Sequence, residues 1–235
     1  MSLPPLKPKL RSGTRVLSAR QSNTSPRPRT TQTCNILVTN ANNGNIFGYI
    51  SPVWNTFGTY GFVQSTQAGA LEVSFSYPQD DFSPSQLDIT AVNGPNASYP
   101  FFGAGILLLY TSSGPLTASA VKGRANADAS LGPGSYHHSY IVGTTQIPAG
   151  STPQDGDNNS FDATTGFDSP AESAIWIYDP VTQELTAQWI NPHGSTPANY
   201  IVYANSPQDP IFVITGDVAA FQAIFAPYPP VVSSD

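Results

Sequence analysis

Between Cys34 and Thr215 the apolar residues come in short runs, and clusters of Gly, Pro, Asn or Asp separate one run from the next. That punctuation constrains the fold more than any other feature of the chain. A helix of ordinary length needs about eleven uninterrupted residues, whereas a strand of about five or six is complete before the next turn arrives. Leu71–Tyr77 is the clearest case. Leu71, Val73, Phe75 and Tyr77 alternate with Glu72, Ser74 and Ser76, the period of a strand with one wet face. With 23 Pro and 19 Gly among 235 residues, long helices have little room to form.

Further runs of this kind are Cys34–Thr39, Ile46–Ser51, Tyr60–Ser65, Leu87–Val92, Tyr140–Thr144, Asn199–Ala204 and Ile211–Thr215. Asn43-Gly44 between the first two is a strong reversal signal. Tyr99–Tyr110 is the most apolar stretch, too short to span a bilayer, and Gly103 and Gly105 suit a bulged, buried central strand. Glu172–Asp179 and Glu184–Asn191 flank Pro180-Val181-Thr182-Gln183, which predicts a hairpin with Asp179 opposite Glu184. Only Asp217–Phe225 reads as a helix: Asp217 can cap it, and Val218, Phe221 and Phe225 share one face. The expectation is an all-β protein, an antiparallel β-sandwich of jelly-roll-like type with one short C-terminal helix. It forms a single domain over residues 33–235.

Residues 1–32 have a different character. They are rich in Pro, Ser and Arg without periodicity, and are expected to form a disordered basic arm or pro-segment. Lys7, Lys9, Arg11, Arg15, Arg20, Arg27 and Arg29 lie there, with no acid. From residue 31 onward, Lys122 and Arg124 face fifteen acidic residues, a net charge of −13. Such a body repels nucleic acid and anionic membranes, so any nucleic-acid contact falls to the arm.

Charged residues make up only 10% of the chain, against about 25% in an average globular protein. A surface of neutral Ser, Thr, Asn and Gln points to an extracellular or cell-wall setting, although the first residues hold no apolar stretch of signal-peptide type. No run is long enough to cross a membrane as a helix. The one cysteine, Cys34, permits neither an internal disulfide nor a paired-thiolate metal site, and reads as a small core residue.

No Gly-x-Ser-x-Gly, HExxH, Walker-A or GxGxxG pattern is present. The loop Asp155-Gly156-Asp157-Asn158-Asn159-Ser160-Phe161-Asp162 gathers hard oxygen ligands, so Asp155, Asp157 and Asp162 are candidate calcium (Ca2+) ligands, with Asp168 and Glu172 next. Asp and Asn are equally the ordinary residues of turns. His137, His138 and His193 read as exposed loop histidines. Asp80, Asp81 and Asp88 are the acids from which a glycosidase-type pair could be built.

Trp54, Trp176 and Trp189 are the candidate ligand-binding residues. In the expected hairpin Trp176 and Trp189 share one face, either inside the core or as an aromatic platform for a sugar. Three glycosylation sequons begin at Asn23, Asn96 and Asn158.

The stretch 174–203 (AIWIYDPVTQELTAQWINPHGSTPANYIVY) resembles uncharacterised secreted-type proteins of mushroom-forming (basidiomycete) fungi. The resemblance implies a fungal, secreted-type origin and carries no functional residue. The leading functional expectation is a non-enzymatic binding or surface protein, lectin-like, with carbohydrate or cell-wall glycan as ligand. The alternatives are a structural or coat protein using the basic arm, and a hydrolase with a carboxylate pair. Nothing in the residues sets an oligomeric state.

Overall fold

The computed structural model describes residues 27–106, 110–111, 114–115 and 130–234. The N-terminal half holds β1 (Arg29–Asn35), β2 (Leu37–Asn40), β3 (Ile46–Ile50), β4 (Val63–Gln64), β5 (Glu72–Pro78), β6 (Thr90–Ala91) and β7 (Phe101–Ile106). Then come β8 (Tyr110–Thr111), β9 (Gly114–Pro115), β10 (His138–Thr144), helix α1 (Ser160–Thr165) and β11 (Ala171–Glu172). The chain ends with β12 (Trp176–Asp179), β13 (Glu184–Ala187), β14 (Tyr200–Ala204), β15 (Ile211–Thr215), helix α2 (Val218–Ile224) and β16 (Pro230–Ser234).

The protein is all-β and antiparallel, as its sequence predicts, with one dominant curled sheet of half-barrel form. Fourteen strands join that sheet, eleven of them along the path β1-β5-β6-β7-β10-β15-β14-β16-β2-β3-β4. Strand β11 sits on β7, and the β12–β13 hairpin joins through β16. In the hairpin Asp179 faces Glu184 and Trp176 faces Ala187, the expected register.

The run Cys34–Thr39 divides instead of forming one strand. Cys34 pairs with Val73 of β5, whereas Leu37 pairs with Tyr49 of β3 on the far side of the sheet order. Ile36, fully buried, marks the crossing. Its carbonyl accepts from Ile50 N at 3.0 Å, and the Ile50 carbonyl accepts from Leu71 N at 2.8 Å. These bonds tie the two ends of the curled sheet together around a shared interior.

Strand β1 also corrects the expected boundary of the arm. Residues 29–32, inside the segment expected to be disordered, pair along β5 with Arg29 opposite Pro78 and Gln32 opposite Phe75. What orders them is backbone pairing with the rim of β5, supported by Thr31 Oγ1 and Ser76 Oγ at 2.7 Å. Composition carries no trace of such a partner, because apolar burial contributes little there. Arg29 donates to the Ser76 carbonyl, and Arg27 lies 3.6 Å from Asp80. The remainder of the expected arm, residues 1–26, lies outside the described residues, as do 107–109 at the end of the Tyr99–Tyr110 run.

Strands β10, β15 and β14 supply side chains to two cores at once. Ile141, Phe212, Ile214, Ile201 and Tyr203 point into the main core inside the curl. The residues between them, Tyr140, Val142, Val213 and Val202, point outward into a second cluster with Phe161 of α1 and Phe221 of α2. This is why these strands read as near-continuous apolar runs (YIV, YIVYA, IFVIT), with no wet face to produce alternation.

Helix α2 falls where the sequence places it. The Asp217 carboxylate accepts from Ala220 N at 3.0 Å, and Phe221 is buried against the sheet. Helix α1 and strand β16 were not expected. At six residues, α1 is too short to display a helical period. The Pro-flanked β16 becomes a strand because β14, β2 and β13 offer it their edges.

The three tryptophans belong to the main core or its border. Trp176 and Trp189 are 1% and 0% exposed. The Trp176 ring stacks on Phe102 at 5.1 Å, and its Nε1 donates to the Phe102 carbonyl. Trp54 is half-buried, set edge-on to Tyr60 at 6.1 Å. A Cβ on Gly143 would come within 2.6 Å of the Trp54 ring, so this position of β10 has to be glycine for Trp54 to lie on the sheet. Trp176→Ala is expected to lower unfolding stability by about 3–5 kcal/mol. Urea denaturation measures it, and a loss under 1 kcal/mol would contradict a core role.

Candidate functional site

The expected calcium loop does not assemble. Asp155 and Asp157 are exposed, whereas Asp162 is buried on α1. Asn159 is the N-cap of that helix, with its Oδ1 accepting from Asp162 N at 3.0 Å. In return Asn159 Nδ2 donates to Asp162 Oδ2 at 2.7 Å. Ser169 N and Ser169 Oγ both donate to Asp162 Oδ1, at 3.0 and 2.6 Å. Forming α1 turns Asp162 inward, away from Asp155 and Asp157, and its oxygens are taken up by protein donors. Among the described residues no group of three or more His, Cys, Asp or Glu is placed to hold a metal ion.

Glu172 also lies inside the protein. It is 3% exposed, with both carboxyl oxygens accepting from Ile190 N at 3.1 and 3.3 Å. Burial pushes its carboxyl up to about 8. Burial likewise raises Asp162 to about 7, against the lowering effect of the Ser169 and Asn159 hydrogen bonds. Asp80 and Asp81 occupy a turn, and Asp88 accepts from Ser173 Oγ at 2.6 Å and Gln146 Nε2 at 3.0 Å.

The sequons sort by accessibility. Asn96 is exposed, whereas the Asn158 amide donates to the Gln154 and Asp155 carbonyls. Asn23 lies outside the described residues.

The candidate site lies elsewhere, in the second cluster. A pocket of about 320 Å³ opens between α2 and the outer face of β10, β14 and β15. Its walls are aromatic, with Phe221 and Phe225 from the α2 segment, Tyr140 from β10, and Phe57 and Tyr228 from loops. The loop bearing Phe57 and Thr59 is fixed by buried Asn55, whose Oδ1 accepts from Phe57 N at 3.0 Å and Thr59 N at 3.1 Å. Asn55 Nδ2 donates to the Pro210 carbonyl at 3.1 Å, anchoring this wall to the start of β15.

His138 lies at this pocket, which corrects its reading as an exposed histidine. Its ring packs edge-on to Phe221 at 5.2 Å and to Phe225 at 4.9 Å. Nδ1 lies 3.2 Å from the Tyr136 carbonyl, and Nε2 lies 3.4 Å from the Tyr140 hydroxyl. Burial holds the imidazole neutral, with its pKa lowered to about 4. His137 is half-buried and His193 exposed. Asp209 stands half-buried at the pocket, its Oδ1 accepting from Thr56 N at 3.2 Å and Thr56 Oγ1 at 2.6 Å.

Sequence reasoning named none of these residues as a site. The only local traces are the pairing of His138 and Tyr140 on one strand face and the Phe221–Phe225 face of α2, which reads as simple packing. No family model matches the chain, and neither a curated protein nor a solved structure shows significant similarity to it.

The buried carboxyls give stability an inverted pH dependence. Folded Glu172 keeps its proton up to about pH 8, while the unfolded chain loses it near 4.5. Asp162 behaves likewise between 3.8 and about 7. Their contribution is therefore complete at low pH and is lost as pH rises through those values. His138 acts in the opposite sense, but only between about 4 and 6.5. From pH 6.5 to pH 8.5 the carboxyls act alone, and the urea midpoint is expected to fall. Glu172→Gln should flatten that slope, and an unchanged slope would contradict the assignment.

Proposed function

We propose that this chain is a non-enzymatic binding protein whose site is the aromatic pocket beneath α2, taking a small and largely apolar ligand. The observation that carries the reading is the pocket itself. Its volume of about 320 Å³ falls at the lower end of the roughly 300–1,000 Å³ usual for ligand sites. Aromatic rings from strand β10, the α2 segment and two loops converge on it, with few polar groups among them. The Asn55 bonds hold one wall in place, which lowers the ordering entropy a ligand has to overcome on binding.

A binding role is favoured over a catalytic one by the state of His138. Both its ring nitrogens already face protein oxygens, so neither is open to take a proton from a bound molecule. Glycan binding loses the support it drew from the tryptophans, since Trp176 and Trp189 are core and Trp54 packs against it.

The test is a fragment titration followed by NMR and thermal shift, with Ser206→Trp as the blocking variant. Ser206 lines the pocket from the loop after β14, half-buried, so the new ring can fill the space without entering a core. Small aromatic fragments are expected to bind the parent chain at micromolar to millimolar affinity and to lose at least about tenfold in the variant, about 1.4 kcal/mol. Equal binding by both chains would remove the pocket as the site.

A further inference from the structure

Resting on the pocket reading, we propose that its ligand is an organic cation: a small ammonium ion carrying a hydrocarbon or aromatic group. Among the described residues Asp209 is the one acidic side chain lining the pocket, which it shares with the rings of Phe57, Tyr140, Phe221, Phe225 and Tyr228. A carboxylate and several aromatic rings lining one pocket are the chemistry that recognises an ammonium, through charge pairing and through attraction to the ring quadrupoles.

The carboxylate is set up for this task. Thr56 holds Oδ1 with two hydrogen bonds, which fix the group, while Oδ2 has no partner among the described residues. The rest of the body points the same way. From residue 31 onward the chain carries fifteen acids against two basic residues, so its field draws cations toward the surface and repels anions.

Other ligand classes fit less well. An anion would face Asp209 with no basic residue among the described residues of the lining. A sugar needs a partner for each hydroxyl it buries, and this lining supplies few. The Tyr140 hydroxyl and His138 Nε2 already face each other at 3.4 Å, and Thr59 is fully buried. Ser206, Asp209 and the unpartnered Thr59 hydroxyl would be left to satisfy a whole ring of hydroxyls, and the unpaired ones would cost free energy on desolvation. A ligand with one charged head and an apolar body leaves no such debt.

Phenethylamine and phenylethanol have the same shape and differ in charge, and choline with its neutral carbon isostere dimethylbutanol repeats the contrast. All four are titrated by calorimetry into the full chain and into Asp209→Asn. Asparagine keeps the oxygen that accepts from Thr56, and an unchanged thermal melt confirms that the variant folds. The amines are expected to bind at least about tenfold more tightly than their neutral partners. Added salt should weaken the amines alone, and Asp209→Asn should abolish the difference. Should the alcohols bind as well as the amines, the pocket stands and the cation proposal fails. If none of the four binds and the Ser206→Trp test is also silent, the pocket reading falls with it.

Discussion

Three strands, β10, β15 and β14, are apolar on both faces, and the rest of the architecture follows from covering both. One face closes the main core inside the curl of the sheet, where Trp176, Trp189, Phe102 and Tyr60 lie. The other would be exposed to water without α1, α2 and the loops that lie over it. Two short helices cannot cover the face completely. The pocket is the space left where their cover ends, so the candidate site is a consequence of how the second layer is built. Four of its aromatic side chains, Tyr140, Phe221, Phe225 and Tyr228, also belong to the cluster that holds the layer together.

Several of the polar groups caught inside this arrangement are satisfied by short, local solutions. Asn159, Asp162 and Ser169 bond to one another around the start of α1, capping the helix and tying it to the chain at Ser169. Glu172 is held by a single backbone N–H and stays protonated because the interior disfavours its charge. A protein carrying such carboxyls sits more comfortably in mildly acidic surroundings than in alkaline ones. The few surface charges leave neutral hydrogen-bonding groups to provide solubility, which sharpens the contrast presented by Asp209 at the pocket.

Much of the fold was legible in the residues. Leu71–Tyr77 shows its one wet face as strict alternation, the 179–184 turn sets the hairpin register, and Asp217 with Val218, Phe221 and Phe225 marks α2. In each case the determining interactions are local, within a few residues, so the pattern survives in the sequence. The site was not legible. Its side chains come from residue 57 to residue 228, and no local pattern links a loop phenylalanine, a strand histidine and an aspartate after a distant turn. The acidic run at 155–162 read as a cation loop for the opposite reason, because its composition is conspicuous while its geometry is set by the cap at Asn159.

The sequence alone thus determined the class of structure, the sign of the body's charge and the places where the chain turns, since these depend on composition and short-range periodicity. Tertiary structure decided which faces are dry and where Ile36 carries the chain across the sheet. It also decided that residues 29–32 and 230–234 become strands, and which acids lie inside. Those outcomes rest on contacts between residues far apart in the chain, whose free energy is realised only once the partner strand or helix is in place.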